Sequence, residues 1–414
     1  MEAAGLVVGI IAGIIAIIGG LVAFIRWLFG PRGERGASIT PDDPPSPPDF
    51  VTIQAEGRAL TLQNVHVGGN LTIYVDGLPE ATKPAVREHF QEGMRLQRAE
   101  RHREAIHEFL KVFAAAESDW QCTALHVLIG NSFLAMAELE EAQGHYLQAL
   151  EIAASSSDAK GQAAAIGNLG VVYHRRGDYV KAEEHARRAL AIEEKIGNPP
   201  GQAQDMANVG VAYLDRGLFD EAESWERKAL ALYKELGDLS GQADVIGTIG
   251  RIYLSRGDAL HAAEHFTRAL KMYEKVGDRF GQANQIGNLG IAYQQRGELH
   301  EAEACYRQAL AFADEIGDRL GQANAHGNLG ALYAWRGELD MAQNEYEVAF
   351  GIDEEVGARV GQGEDLANLG SVYALKGDLR SALEHWRRAL AIFAETKAED
   401  RAARVRRALD NLLS

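Results

Sequence analysis

Two histidines one helical turn apart, with a glutamate beside the second, occur at His261-Ala262-Ala263-Glu264-His265. In that arrangement imidazoles hold zinc while a carboxylate activates water. No third ligand is assignable, and Ala262 belongs to a recurring packing position whose flanking residues are Glu221 and Trp225 in the preceding unit and Glu301 and Cys305 in the following one. The motif therefore reads as helix surface, and no metal or other cofactor is expected. Arg176-Gly177-Asp178 and Arg256-Gly257-Asp258 spell a cell-adhesion tripeptide, but both fall at helix corners, where capping accounts for them. No phosphate-cradling glycine loop, dinucleotide fingerprint or serine elbow occurs, and the repeated Gly-Asn-Leu-Gly lies inside a helical pattern. Cys122 and Cys305 are too few for a disulfide framework or a four-thiolate zinc site, which fits reducing, cytosol-facing surroundings. A formal charge of −17 argues against nucleic acid, whose affinity comes from neutralising phosphates with Lys and Arg. The chain is expected to bind protein or peptide and not to be an enzyme.

What carries most information is recurrence. Gly-Gln returns at Gly161, Gly201, Gly241, Gly281, Gly321 and Gly361, a constant step of 40 positions that marks a repeat architecture. A second glycine, at Gly170, Gly210, Gly250, Gly290, Gly330 and Gly370, is followed three positions later by tyrosine and twelve positions later by alanine. Gly93 with Ala105 and Gly130 with Ala142 extend the array upstream to eight units. Ile166, Leu169, Gly170 and Tyr173 share one face of a first helix. Ala262, Phe266, Ala269, Leu270, Tyr273 and Val276 share one face of a second. Arg-Gly pairs at 176, 216, 256, 296 and 336 place a cation in the last turn and a left-handed cap after it. Gly237-Asp238, Gly277-Asp278 and Gly317-Asp318 join a terminating glycine to a capping aspartate, and Asn198-Pro199 does the same with proline at the first helical position.

Leu169-Gly170-x-x-Tyr173, Gly177, Ala182 and Ala189-Leu190, recurring in register over about 85–414, resemble the tetratricopeptide repeat. The unit of 40 with Asn168-Leu169-Gly170 is similar to the long repeats of Pins-type polarity adaptors and kinesin light chains. The resemblance implies a scaffold that takes peptides or helices in a concave groove. The units depart from that family in lacking its usual tryptophan near the start and its proline at the end. The expected fold is all-α: a right-handed α-solenoid superhelix of about eight helix-turn-helix repeats over 78–398, closed by a helix at 399–414. It is preceded by one transmembrane helix and a small β-hairpin element.

On the first helix, residues opposite the core face should line the concave wall. These are Ala164, Gly167, Val171, His174 and Arg175, with Asn168 on the edge. Equivalent places hold Gln204, Val211, Leu214, Asp244, Arg251, Leu254, Asn284, Ile291, Gln294, Asn324, Trp335, Glu364 and Leu375. The alternative is that these are tolerated surface positions. The mixed lining lacks the repeated Lys and Asn of a carboxylate clamp, so a longer amphipathic segment fits better. Asn168, Asn208, Asn288, Asn328 and Asn368 recur at one position, either to hydrogen-bond a bound backbone or to brace adjacent helices.

The N-terminal part has its own logic. Ala3 to Ile25 is a run without a charge that would span about 35 Å as a helix. Residues 1–30 therefore read as a membrane anchor rather than a cleaved signal peptide, which would want a basic start. Arg26, Arg32 and Arg35 flank one end only, which places the N-terminus outside and the repeats in the cytoplasm as a single-pass protein of the inner or plasma membrane. Gly5, Gly9 and Gly13 repeat at every fourth position, a spacing that lets membrane helices associate into a homo-oligomer, although glycine is common in such helices. Residues 31–50 are a proline-rich linker, and 51–77 alternates around Gly68-Gly69-Asn70 as a β-hairpin. A competing function is an oligomerising membrane effector, with the glycine-rich helix regulated by the repeats.

Overall fold

The computed structural model describes residues 52–55, 58–61, 84–98 and 101–413, apart from 115, 117, 137 and 397. From residue 84 these form an all-helical solenoid of 17 α-helices. In chain order they are α1 (Pro84–Arg98), α2 (His102–Phe113), α3 (Asp119–Ala135), α4 (Leu139–Ser155), α5 (Ala159–Arg175) and α6 (Tyr179–Ile196). Next come α7 (Pro199–Asp215), α8 (Phe219–Leu236), α9 (Leu239–Ser255), α10 (Ala259–Val276), α11 (Arg279–Arg296) and α12 (Leu299–Ile316). The last are α13 (Arg319–Arg336), α14 (Leu339–Val356), α15 (Arg359–Leu375), α16 (Leu379–Glu395) and α17 (Glu399–Leu413). Sixteen of them make the eight pairs expected from the glycine spacing, and α17 packs Ala402 and Val405 onto α16. Contacts divide the helices into two units, one of residues 84–252 with 267–281 and one of 253–266 with 282–413.

The apolar span 3–25 with Gly5, Gly9 and Gly13, the proline-rich linker and the hairpin around Gly68-Gly69-Asn70 lie outside the described residues. Among the described residues no helix is long and apolar enough to cross a membrane. Within 51–77 the described residues form one short antiparallel pair, β1 (Thr52–Ala55) and β2 (Arg58–Thr61), in register Thr52 to Thr61.

Corners follow the glycines. Gly177 to Gly377 supply one left-handed residue at each corner, with φ between +67° and +83°. Only glycine holds that conformation without steric cost, so each helix stops at a fixed residue. Asp158, Asp178, Asp318 and Asp378 then cap the next helix by accepting a backbone N–H three positions on. Asn198 does not cap α7. Its Nδ2 donates instead to Glu193 Oε2 at 2.7 Å. A buried carboxylate within reach outcompetes the exposed helix end. The corner arginines do more than face a helix dipole. Arg336 donates to Glu303 at 2.6 Å and to the Leu299 carbonyl at 2.9 Å, tying α13 back to α12.

In five of the pairs a first-helix glycine lies beneath a large second-helix side chain. Phe109 covers Gly93, Tyr146 covers Gly130, Tyr306 covers Gly290, Tyr346 covers Gly330 and Trp386 covers Gly370. A Cβ on Gly130 would stand 2.7 Å from the Tyr146 ring. The polar tips are satisfied: Tyr146 donates to Asn131 Oδ1 at 2.7 Å, Tyr306 to Gln294 Oε1 at 2.8 Å, and Trp386 Nε1 to the Ala367 carbonyl at 3.0 Å. Two pairs break the rule. Ala186 lies over Gly170, and Glu226, fully buried, lies over Gly210.

Candidate functional site

In the first unit the small Ala186 leaves room between α5, α6 and α7. A shallow, open surface dimple is lined by Gly167, Gly170, Val171, His174, Ala182, Ala186, Asn208 and Val211. At its edge His174 Nε2 meets Asp215 Oδ2 at 2.5 Å, and Arg251 donates to Asp215 Oδ1 at 3.3 Å. One carboxylate on α7 thus links the first helices of three successive pairs. All three groups are part-exposed, so the bridge orients the helices more than it stabilises them.

Of the expected lining in this unit, Arg175 is exposed and Gln204, Asn208, Val211 and Arg251 are half-buried. Asn168, Val171 and Leu214 are buried, at 3%, 7% and 5% exposure, and this corrects their reading as open wall. Val171 packs with Leu134 and Tyr146, and Leu214 with Ala222 and Ile252. Helical spacing within one helix does not register the neighbouring pair that leans over it. Asn168 keeps a buried Nδ2 without a hydrogen-bond partner, whereas Asn208 Oδ1 accepts from Gln204 Nε2 at 3.4 Å within its own helix. The Asn208 contact stays within its own helix, and the half-buried Asn208 faces the dimple.

In the second unit Asn284, Asn324 and Trp335 are exposed, with Trp335 at 37%, and Asn288, Ile291, Asn328 and Asn368 are half-buried. Gln294, expected on the wall, is buried under Tyr306.

Beneath the wall lies a set of carboxyl groups that periodicity did not flag. Glu193 and Asp205 are 2% and 5% exposed; Asp353 and Asp365, four repeats on at the same positions, are 4% and 6% exposed. Burial pushes Asp365 up to about 8, with the nearby Asp353 and Glu364 charges adding, and pushes Asp353 up to about 6. Asp205 is raised well above the usual carboxylate range by burial and by Glu193. Glu226 is likewise raised by burial against an opposing pull from Arg251, and neither of its oxygens has a hydrogen-bond partner. A signal is present in the repeat register: the covering position reads Tyr146, Ala186, Glu226, Phe266, Tyr306, Tyr346, Trp386, and the two departures adjoin.

His261 and His265 both pack on Tyr253; His261 Nδ1 meets Asp258 at 2.7 Å and His265 Nδ1 donates to the His261 carbonyl at 2.9 Å. No three metal-binding side chains converge there or elsewhere among the described residues.

Helix pairs crossing at glycine, with alanine twelve positions on and a left-handed corner between, define a helical repeat scaffold. The tetratricopeptide repeat model matches residues 120–195, 202–275 and 283–355, more than half of the chain, and the chain belongs to that family. No curated protein sequence matches significantly. Among solved structures, a Rap protein complexed with competence and sporulation factor is similar at TM-score 0.62 and 16% identity, covering 76% of this chain and 86% of that one. The Rap conjugation gene regulator of plasmid pLS20, in complex with the Phr* peptide, is similar at TM-score 0.57 and 16% identity, covering 78% and 99%. The apo quorum sensor NprR of B. thuringiensis is similar at TM-score 0.54 and 13% identity, covering 74% and 87%. At these identities the likeness is one of fold.

Proposed function

We propose that the chain is a non-catalytic repeat scaffold that binds an amphipathic protein segment on the wall of its first helices. The dimple over α5–α7 carries the reading. It places Val171 and Val211 beside the Asn208 amide and the His174–Asp215–Arg251 bridge, the mixed apolar and polar surface against which an amphipathic segment can lie. The Rap regulator similar in fold was solved with a peptide bound, which is consistent. A photo-cross-linking amino acid in place of Val211 or Trp335 should yield a discrete adduct in cells. The same group at Val180, which is 62% exposed on α6, should not. Adducts from 180 alone would move the binding surface to the second helices.

Trp335→Ala should weaken capture of that partner by about 30-fold or more, the effect of losing an aromatic anchor worth about 2 kcal/mol. Being 37% exposed, the tryptophan should leave thermal stability within about 0.5 kcal/mol, as surface changes do. Equal binding with the variant would remove the second unit's wall from the contact.

We further propose that 1–30 anchors the scaffold in the inner or plasma membrane with the repeats on the cytoplasmic side, supported by the uncharged run 3–25 and the arginines that follow it, the pattern of a spanning helix with its positive flank inside. Protease added to sealed cells should spare the repeats. Their digestion would reverse the orientation. Gly9→Leu with Gly13→Leu should reduce cross-linked oligomers in membranes if the helices pair through that face.

A further inference from the structure

Three histidines at one repeat position reach from a first helix to its second. His89 Nδ1 meets Glu108 Oε2 at 2.7 Å, and His326 Nδ1 meets Glu345 Oε2 at 2.7 Å. In the pair α3/α4 the glutamate is replaced by a second imidazole, and His126 Nδ1 faces His145 Nδ1 at 3.0 Å. Histidines at the position of His145 behave differently elsewhere: His185, His265 and His385 turn Nδ1 to the carbonyl one turn back. His145 turns toward its counterpart.

Both rings are held by aromatic walls. The edge of Phe113 meets His126 at 4.9 Å between centroids and 75°, and Phe133 stacks on His145 at 5.4 Å and 21°. Burial lowers the basicity of both imidazoles, bringing His126 down to about 4 with a further contribution from His145, so the pair is neutral at pH 7. Two neutral Nδ1 atoms in contact share one hydrogen. If both carry their hydrogen on Nε2, two lone pairs converge on the space between the helices.

We propose that His126 and His145 chelate one divalent transition-metal ion of the zinc or nickel class through their Nδ1 atoms. Zinc–imidazole bonds of about 2.0–2.1 Å at a tetrahedral angle put the two nitrogens roughly 3.3 Å apart, close to the separation already present. On binding, the shared hydrogen moves from Nδ1 to Nε2 of the same ring, so no proton need leave the pair. Two protein ligands leave the other coordination positions to water, as expected where no third metal-binding side chain converges among the described residues. Both residues are only part-buried, which gives the ion access.

The test is zinc titration of the full chain by calorimetry, with diethyl pyrocarbonate modification read residue by residue. One zinc per chain should bind and should protect His126 and His145 from modification more than tenfold relative to His261 and His265. His126→Gln and His145→Gln should each weaken that event at least tenfold; glutamine keeps a hydrogen-bonding group in the slot. If either variant misfolds, protection in the unaltered chain decides alone. Zinc binding that leaves both histidines fully reactive, or that survives either substitution in a folded protein, overturns the proposal.

Discussion

Asp365→Asn is expected to raise the thermal unfolding midpoint at pH 8 and to leave it nearly unchanged at pH 4. Asp365 is 6% exposed, one of its oxygens has no hydrogen-bond partner, and its folded pKa is pushed to about 8. The sign follows from linkage. A carboxyl whose folded pKa lies above its unfolded value contributes stability below the unfolded pKa, and that contribution is lost as pH rises through the folded pKa. The window here runs from about pH 4 to pH 8. At pH 7 the fold keeps this carboxyl protonated where the unfolded chain would ionise it, which costs on the order of 4 kcal/mol that the neutral amide avoids. Glu226→Gln should act in the same direction, since its carboxyl is fully buried above Gly210. Hydrogen exchange along α15 and α8 would localise the gains. If the Asp365→Asn midpoint tracked the unaltered chain from pH 4 to pH 8, the buried carboxyl would be shown to titrate as in the unfolded chain.

Gly130→Ala and Gly144→Ala form a second, paired expectation. Alanine in a helix interior ordinarily gains about 1 kcal/mol over glycine. At Gly144, exposed on α4 with nothing within 4 Å of an added Cβ, that gain should appear in full. At Gly130 on α3 the new methyl would meet the Tyr146 ring at 2.7 Å, and the ring cannot retreat because its hydroxyl is held by Asn131 and it is fully buried. Overpacking of this kind costs about 1–3 kcal/mol, so the net change should be a loss of up to about 2 kcal/mol. Adding Tyr146→Ala, the size class found at Ala186, should remove the clash and turn the glycine substitution into a gain of about 1 kcal/mol relative to Tyr146→Ala alone. A gain at both glycines would mean that the helices separate freely at their crossing.

The repeats were legible because their signals are local and periodic. Glycine at a corner, alanine at a crossing and tyrosine three positions after the core glycine each report a backbone or packing need that recurs together in the last six of the eight units. The wall was less legible. Asn284, Asn324 and Trp335 are exposed, while Asn168 is buried and Val171 and Leu214 pack on the adjoining pair, which a single-helix projection omits. The dimple leaves no motif, because it is made by something missing, the aromatic ring that Ala186 does not supply. The buried acids are hard to find because charge suggests surface, and only alignment to Phe266 and Tyr306 shows Glu226 in a core slot.

The corners set a rule for how such a chain changes length. With a left-handed glycine at every corner from Gly177 to Gly377, a gene duplication or loss spanning one whole helix pair rejoins like to like. The first-helix wall then lengthens or shortens by one whole strip, and every interface keeps a partner of the kind it had. An event spanning a single helix would bring second helix against second helix and end the array at that point. Array length in this lineage is therefore open to unequal recombination in one step size and closed in the other, and the reach of the binding wall changes in whole units.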